Sequence, residues 1–404
     1  MGKKILFISD HGDPLAKLGG KQSGGQNNYV KQLALALDDK GIKVDVITHW
    51  SNPEAPMKEE FGKKCSVIRI AAGHKGYVPK TKMYRMLPAF FEEIKEKVQL
   101  ETYDIVHTHY WLSGLLGLYV KKEYDMPLVH TSHSLGVAKK EATGKVEKRR
   151  LQAEKMILKG ADRVIATTPN EKDLIWKFAG EDVKVEISSI GVDPAFQPYA
   201  KKKRSIPPTF AFAGRLEKTK GIYTLLDAFK HFHKYSRREA RLIIAGGGEE
   251  DVDFSKKMPN NPDLREMVKG MENHVEFIGP QSQVELAELF NEVTSVIVPS
   301  YYESFGMVAA EAQACGTPVI ASDVGGLKNV VSHRESGLLT EPKCSEQLSM
   351  AMKELAQDNT LAKRLGTQAA KRARIHFNWS EIAQQMNQMY EVLGNVRNHA
   401  YVGD

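Results

Sequence analysis

The chain has 404 residues, of which 42% are hydrophobic, 26% charged and 8% aromatic, with a net charge of +7. That length exceeds what one core usually holds, so two domains are expected. No apolar run approaches the ~20 residues that span a bilayer, and no Lys/Arg cluster carries the interleaved aromatics of a nucleic-acid surface. The positive field suits doubly negative small substrates better. Cys65, Cys315 and Cys344 show no pairing or zinc spacing, which fits a reducing cytoplasm and a cytoplasmic protein.

In chain order, the start Met1-Gly2-Lys3-Lys4 leads into four apolar residues, read as a first buried strand and not as a secretory leader or a myristoylation signal. Short Val/Ile-rich strands are predicted at 5–9, 44–48, 67–70, 105–108, 128–131, 163–167 and 185–187. Helical periods lie between them at 29–40, 85–101, 113–123 and 147–159. Such alternation predicts a parallel sheet with helices on both faces. The pattern loosens over 198–208, a linker with four consecutive basic residues at 201–204. It restarts with strands at 209–213, 241–245, 275–278, 296–298, 318–321 and 337–339, and helices at 223–234, 284–292, 307–314 and 345–356. After His376, an amphipathic helix is predicted from Trp379 with Ile382, Met386, Met389 and Val392 on its apolar face. Two doubly wound domains would bind ligands beyond the C-terminal ends of their strands.

Several motifs sit at those strand ends. Ser23-Gly24-Gly25-Gln26-Asn27 precedes a helix, so glycine backbone and a helix N-terminus could approach an anion or sugar. It lacks the Gly-x-Gly-x-x-Gly spacing of a dinucleotide enzyme. His107, His109, His130 and His133 end two strands, and no acidic partners stand at metal-ligand spacing, so no metal is expected. Gly214-Arg215 and Lys220-Gly221 put a guanidinium fork and a point charge on a loop suited to a diphosphate. Gly246-Gly247-Gly248-Glu249 and the segment 275–280 are weaker nucleotide-loop candidates. The most informative stretch is Glu303-Ser304-Phe305-Gly306-Met307-Val308-Ala309-Ala310-Glu311, two carboxylates eight positions apart across a strand–loop–helix junction.

This block resembles the donor-site signature of the family 4 retaining glycosyltransferases. The resemblance implies the α/β GT-B fold: two Rossmann-like domains facing a central cleft, with a final helix crossing back to the first domain. It implies an acceptor domain over 1–197 completed by 377–404, and a donor domain over 198–376. In the donor site it gives Glu311 to the ribose, and Glu303 with the backbone of Ser304, Phe305, Gly306, Met307 and Val308 to the sugar. Arg215 and Lys220 fall on the groups that stabilise the leaving diphosphate, His133 on the histidine near the donor sugar, and Gly24 and Gly25 on the first-domain loop. The segments around His109, His133 and Glu303 are most similar to family members that glycosylate inositol phosphate, and the run from His133 to Lys139 is also similar to sucrose-phosphate synthases. By those likenesses Asn27, Lys80, Lys82, Tyr110, Ser134, Lys139 and Arg150 are the acceptor candidates.

The expected reaction moves a hexosyl unit, glucose or N-acetylglucosamine, from a UDP-sugar to a small polyhydroxy acceptor, a cyclitol or sugar phosphate. An unphosphorylated aminocyclitol is an alternative acceptor. A UDP-sugar epimerase and a non-catalytic sugar-nucleotide sensor are the readings from other classes. No cofactor beyond the sugar nucleotide is implied, no nucleic-acid partner is expected, and a homodimer is one assembly that the reading admits.

Overall fold

A computed structural model of the chain describes residues 3–16, 24–200, 207–235 and 239–400, the side chains of 142 and 395–400 excepted. Ser23 and the basic run 201–204 thus lie outside the described residues. Two compact units emerge: Met1–Gly191 with Trp379–Asp404, and Val192–Asn378.

The first unit holds an eight-stranded sheet of β1 (Lys4–Ile8), β2 (Lys43–His49), β3 (Lys58–Phe61), β4 (Cys65–Ile70), β5 (Ile105–His109), β6 (Leu128–Thr131), β7 (Arg163–Ala166) and β8 (Val185–Ile187). The order is β3-β4-β2-β1-β5-β6-β7-β8, and every pairing is parallel except β3 with β4. Strands β4, β5 and β6 are buried at every residue, as parallel strands covered on both faces must be. Strand β3, Lys58-Glu59-Glu60-Phe61, is too polar to be read as a strand and lies at the edge, where charge is tolerated.

The second unit holds β9 (Thr209–Ala213), β10 (Arg241–Ala245), the small ribbon β11 (Val252–Asp253) and β12 (Met258–Pro259), then β13 (Val275–Gly279), β14 (Ser295–Val298), β15 (Val319–Ser322) and β16 (Gly337–Thr340). Its main sheet is six-stranded and parallel, in the order β13-β10-β9-β14-β15-β16.

Helices carry the expected starts and stops. Thr168 caps Pro169–Ala179 by accepting from Glu171 N–H, with Pro169 at the first position. Ser282 and Glu285 form a full capping box on Gln283–Glu292. The period read over 85–101 is broken in the structure into a 3-10 turn, the helix Leu87–Lys97 and a second 3-10 turn. Pro88, lacking an N–H, belongs in a first helical turn and so marks the start. The helices Gly136–Thr143, Pro169–Ala179 and Asn359–His376 are additional to those read from the sequence.

The C-terminal helix Trp379–Ala400 packs on the helix Gly25–Asp38 and on β5, completing the first unit. Among its described side chains, Trp379, Ile382, Ala383, Met386, Met389, Tyr390 and Leu393 are buried, whereas Val392 is exposed, one residue out of phase with the stripe. No described helix is long and apolar enough to cross a membrane.

In each sheet the strand order reverses once, between β1 and β5 in the first unit and between β9 and β14 in the second. Chain connections leave those points in opposite directions, which opens a crevice beyond the strand C-termini. Lys220 and Glu303 follow the strands of the second switch point, and Tyr110 follows β5 at the first.

Candidate active site

In the second unit the loops after β9 and β14 are clasped together. Tyr301 N–H donates to Thr219 O (2.9 Å), and the hydroxyls of Thr224 and Tyr301 lie 2.8 Å apart. Gly221, at φ +76°, lies so close to Pro299 that a Cβ would stand 1.9 Å from the Pro299 carbonyl oxygen. The clasp brings Lys220 to Glu303: Nζ donates to Oε1 at 2.5 Å, and Ser300 Oγ donates to the same oxygen at 3.2 Å. Two charges 83 residues apart in sequence thus share one spot at the switch point. Arg215 lies on the same segment as Lys220, between β9 and the helix Ile222–Tyr235. Its guanidinium pairs with Glu217 at 2.9 Å and remains largely exposed, a long fork standing in solvent.

Beyond Glu303 the chain turns through Gly306 (φ +104°) into the helix Met307–Ala314. No side chain caps that helix, and no acidic residue occupies its first turn. Its first N–H groups have no intrahelical acceptors, so they form a compact anion- or hydroxyl-binding end. Ser304 and Phe305 shape this end through their backbone. The Phe305 ring is buried edge-on to Phe377, and the Ser304 carbonyl lies against Gly326. Glu311, about one turn along, is 8% exposed. Burial, with the Asp193 charge adding to it, lifts its carboxyl to about 7.

In the first unit Tyr110 follows β5 at φ +80°, with its ring 5.1 Å from the Arg150 guanidinium and 5.5 Å from Lys80 Nζ. Arg150 donates from Nη2 to Ser134 O at 2.5 Å and from Nε to Glu154 at 2.8 Å, and Glu154 also accepts from Gly136 N–H. Four residues named from sequence, Lys80, Tyr110, Ser134 and Arg150, are therefore one cluster with a cationic rim. His133, at φ +56°, places Nε2 3.0 Å from Nδ1 of buried His109. Desolvation pushes His133 down to about 3, and that of His109 well below the usual range, so both rings are neutral near pH 7. His107 is held by Tyr390 and Thr131, and His130 by Thr108. Among the described residues no group of three or more His, Cys, Asp or Glu could hold a metal ion.

Comparison with known proteins reads this architecture directly. Residues 23–196 match Glycosyltransferase Family 4, and residues 196–372 match Glycosyl transferases group 1. A D-inositol 3-phosphate glycosyltransferase of Pseudarthrobacter chlorophenolicus is 33% identical over 94% of this chain and 93% of its own length. The chain belongs to the family 4 (group 1) retaining glycosyltransferases.

Among solved structures, the glycosyltransferase is similar to a sucrose-phosphate synthase from Thermosynechococcus elongatus, at a TM-score of 0.86 and 35% identity, covering 98% of this chain and all of that one. Anabaena Alr3699/HepE, solved with UDP and glucose, shares the fold at a TM-score of 0.72 and 19% identity, over 96% of this chain and 99% of its own. The GT-B fold expected from the sequence is the fold observed, including the final helix returning to the first unit.

The structure does not gather every candidate. Lys82 and Lys139 are exposed on the helices Lys80–Met83 and Gly136–Thr143. Asn27 is buried, and its amide donates to Asp13 O (2.9 Å), bracing the loop after β1. Gly24 caps the helix Gly25–Asp38 at φ −176°, and neither Gly24 nor Gly25 would meet a neighbour if it carried a Cβ. Sequence reasoning passed over Glu154, whose i+4 spacing from Arg150 was the available signal. It also passed over Asp10 and His11, which directly follow the first strand. His11 packs edge-on to Tyr110 at 4.6 Å, its Nδ1 lies 3.2 Å from Asp10, and Ser113 Oγ donates to the same carboxylate.

Proposed function

We propose that the enzyme transfers a hexosyl unit, glucose or N-acetylglucosamine, from a UDP-sugar to a hydroxyl of a phosphorylated cyclitol or sugar. The second unit binds the donor and the first binds the acceptor. One observation carries the reading: the Lys220–Glu303 pair stands at the β9/β14 switch point beside an uncapped helix N-terminus, with buried Glu311 on the same helix. Lys220 is a point charge for the diphosphate, joined by Arg215, whose exposed fork folds onto it. Glu303 and the first-turn N–H groups hold sugar hydroxyls, and Glu311 accepts from the ribose.

As the anomeric C–O bond breaks, negative charge grows on the diphosphate and these cations neutralise it. The acceptor oxygen attacks from the leaving-group face and the departing phosphate takes its proton, so configuration is retained without an enzymic nucleophile. No metal is required, because the two cations supply the charge. The cluster Lys80, Tyr110, Ser134 and Arg150 offers cations and hydroxyls for the acceptor phosphate. The inositol-phosphate and sucrose-phosphate names of the similar proteins favour a phosphorylated acceptor over an aminocyclitol.

The test is a panel of labelled UDP-sugars against inositol phosphate, hexose phosphates and an aminocyclitol, with product mass and anomeric configuration read out. An inverted product overturns the mechanism. Conversion of the donor with no acceptor present would establish the epimerase reading instead.

The acceptor side makes a quantitative prediction. Lys80→Ala is expected to raise KM for the phosphorylated acceptor by about tenfold, the usual worth of one charge-assisted contact. It should leave KM for the donor and the melting temperature unchanged, because Lys80 is exposed. Equal KM values for wild type and variant would remove Lys80 from the site.

Glu311 predicts a pH dependence. An unfolded glutamate titrates near 4.3, whereas the folded group titrates at about 7. Between those values the native state keeps a proton that the unfolded chain has lost, so stability falls as pH rises through this window. Glu311→Gln should flatten that fall in thermal melts taken from pH 5 to 8. Ribose hydroxyls donate to the ionised form, so donor affinity should tighten about tenfold between pH 6 and pH 8. The Gln variant should show no such change in calorimetry; a wild type with pH-independent donor affinity would refute the assignment.

A further inference from the structure

The two histidines at the ends of β5 and β6 make a hydrogen bond whose direction has chemical consequences. His109 is fully buried, and its Nε2 has no partner. Its ring is boxed by Phe7 at 4.9 Å, His107 at 4.4 Å and Tyr29 at 5.8 Å. Its Nδ1 faces His133 Nε2 at 3.0 Å, and His133 is steadied by the Tyr29 ring at 4.8 Å. Both rings are neutral, so exactly one of the facing nitrogens carries the proton.

We propose that His109 is a positioning residue for His133, donating from Nδ1 to His133 Nε2 and thereby placing the proton of His133 on Nδ1. The inference rests on the reading of His133 as the histidine at the donor sugar. The alternative arrangement would put a proton on His109 Nε2, leaving an N–H donor buried without an acceptor. Buried N–H groups of that kind are rarer than unfilled acceptor lone pairs. In the favoured arrangement Nδ1 of His133 carries the proton and is a donor. It can give a hydrogen bond to a sugar hydroxyl or diphosphate oxygen, which the opposite tautomer would meet with a lone pair. The positive φ of His133 costs backbone energy. The ring held by His109 and Tyr29 is therefore set in place before substrate arrives.

The experiment uses the full chain labelled with [15N]histidine. Long-range proton–nitrogen correlations distinguish the two tautomers, with His133 assigned by its loss in His133→Gln. The expected spectrum shows His133 protonated on Nδ1 and bare on Nε2. His109→Leu removes the donor; it should mix the tautomers of His133 and lower kcat for sugar transfer about tenfold or more, with acceptor KM little changed. His109→Asn places an amide N–H near the lost Nδ1–H, and should restore both the tautomer and much of kcat. A wild-type His133 protonated on Nε2 overturns the proposal, and so does a His109→Leu enzyme with wild-type kcat. Should His109→Leu fail to fold, the wild-type spectrum and His109→Asn still decide. A wild type that transfers no sugar from any UDP donor would refute the proposed reaction, while the spectrum would continue to judge the tautomer.

Discussion

Replacing Lys220 by alanine is expected to lower kcat for sugar transfer by about 10²- to 10³-fold, the usual loss when one charge aimed at a developing anion is removed. Binding of the donor should weaken much less, because charge on the diphosphate peaks only as the glycosidic bond breaks. Stability should hardly change. The Lys220–Glu303 pair is part-exposed, and pairs of that kind contribute little to folding. Glu303 also retains Ser300 as a donor after the substitution. Steady-state kinetics together with a thermal melt would check both halves. Full turnover in a folded Lys220→Ala protein would end the proposed role, and a collapsed melting temperature would show the pair to be structural instead. Lys220→Arg should recover little, since a planar fork does not fill the place of a compact ammonium.

Gly326→Ala is expected to be nearly as damaging to activity, by a wholly different route. Gly326 has φ −73° and ψ −20°, a conformation any residue adopts, so no backbone strain is involved. The obstacle is contact: a Cβ there would stand 2.1 Å from the Ser304 carbonyl oxygen. Gly326 N–H also donates to the Glu303 carbonyl at 2.9 Å, so the turn after β15 sets the backbone of the loop that carries Glu303. A methyl group would push this loop by about 1 Å, and displacements of that size in an active site cost on the order of 10²-fold in rate. The melting temperature should fall only modestly, because the change lies beyond the strand ends and outside the apolar core of the unit. Kinetics of Gly326→Ala and of Gly326→Ser would test the point; activity equal to wild type in either would show that the turn does not hold the loop.

The strands were legible because the chain is buried on both faces of two parallel sheets, and continuous runs such as 105–108 and 296–298 have no other physical use. Edge strand β3 was hidden because an edge needs no apolar run. The donor block was legible as a unit because its parts are near neighbours in sequence. Its partner Lys220 is 83 residues away, and the clasp between the two loops rests on Gly221, Thr219 and Tyr301, whose roles emerge only when the β9 and β14 ends meet. Burial was the least visible property: Glu311 occupies a helix position that also suits solvent. The structure instead encloses it, with Asp193 nearby, and so changes the pH at which it ionises. At the acceptor cluster, Tyr110 and Arg150 could be named from local motifs, but the Glu154 carboxylate that fixes the Arg150 fork required the fold.

The first unit is closed by residues from the far end of the chain: Tyr390 hydroxyl to His107, and the Trp379 ring edge-on to Tyr29 at 5.4 Å. A ribosome therefore releases all of the second unit before it delivers the last piece of the first. Until then the apolar flank of the helix Gly25–Asp38 and the end of β5 have no cover. The order of synthesis then favours the second unit as the first to mature, leaving the earlier-made half waiting as a partly open sheet. Chains interrupted before Trp379 would carry that open surface permanently, which makes them natural prey for chaperones and proteases. The helix Trp379–Ala400 thus acts as a late clamp: the Tyr390 partner of His107 joins the first unit only after the whole second unit has been made.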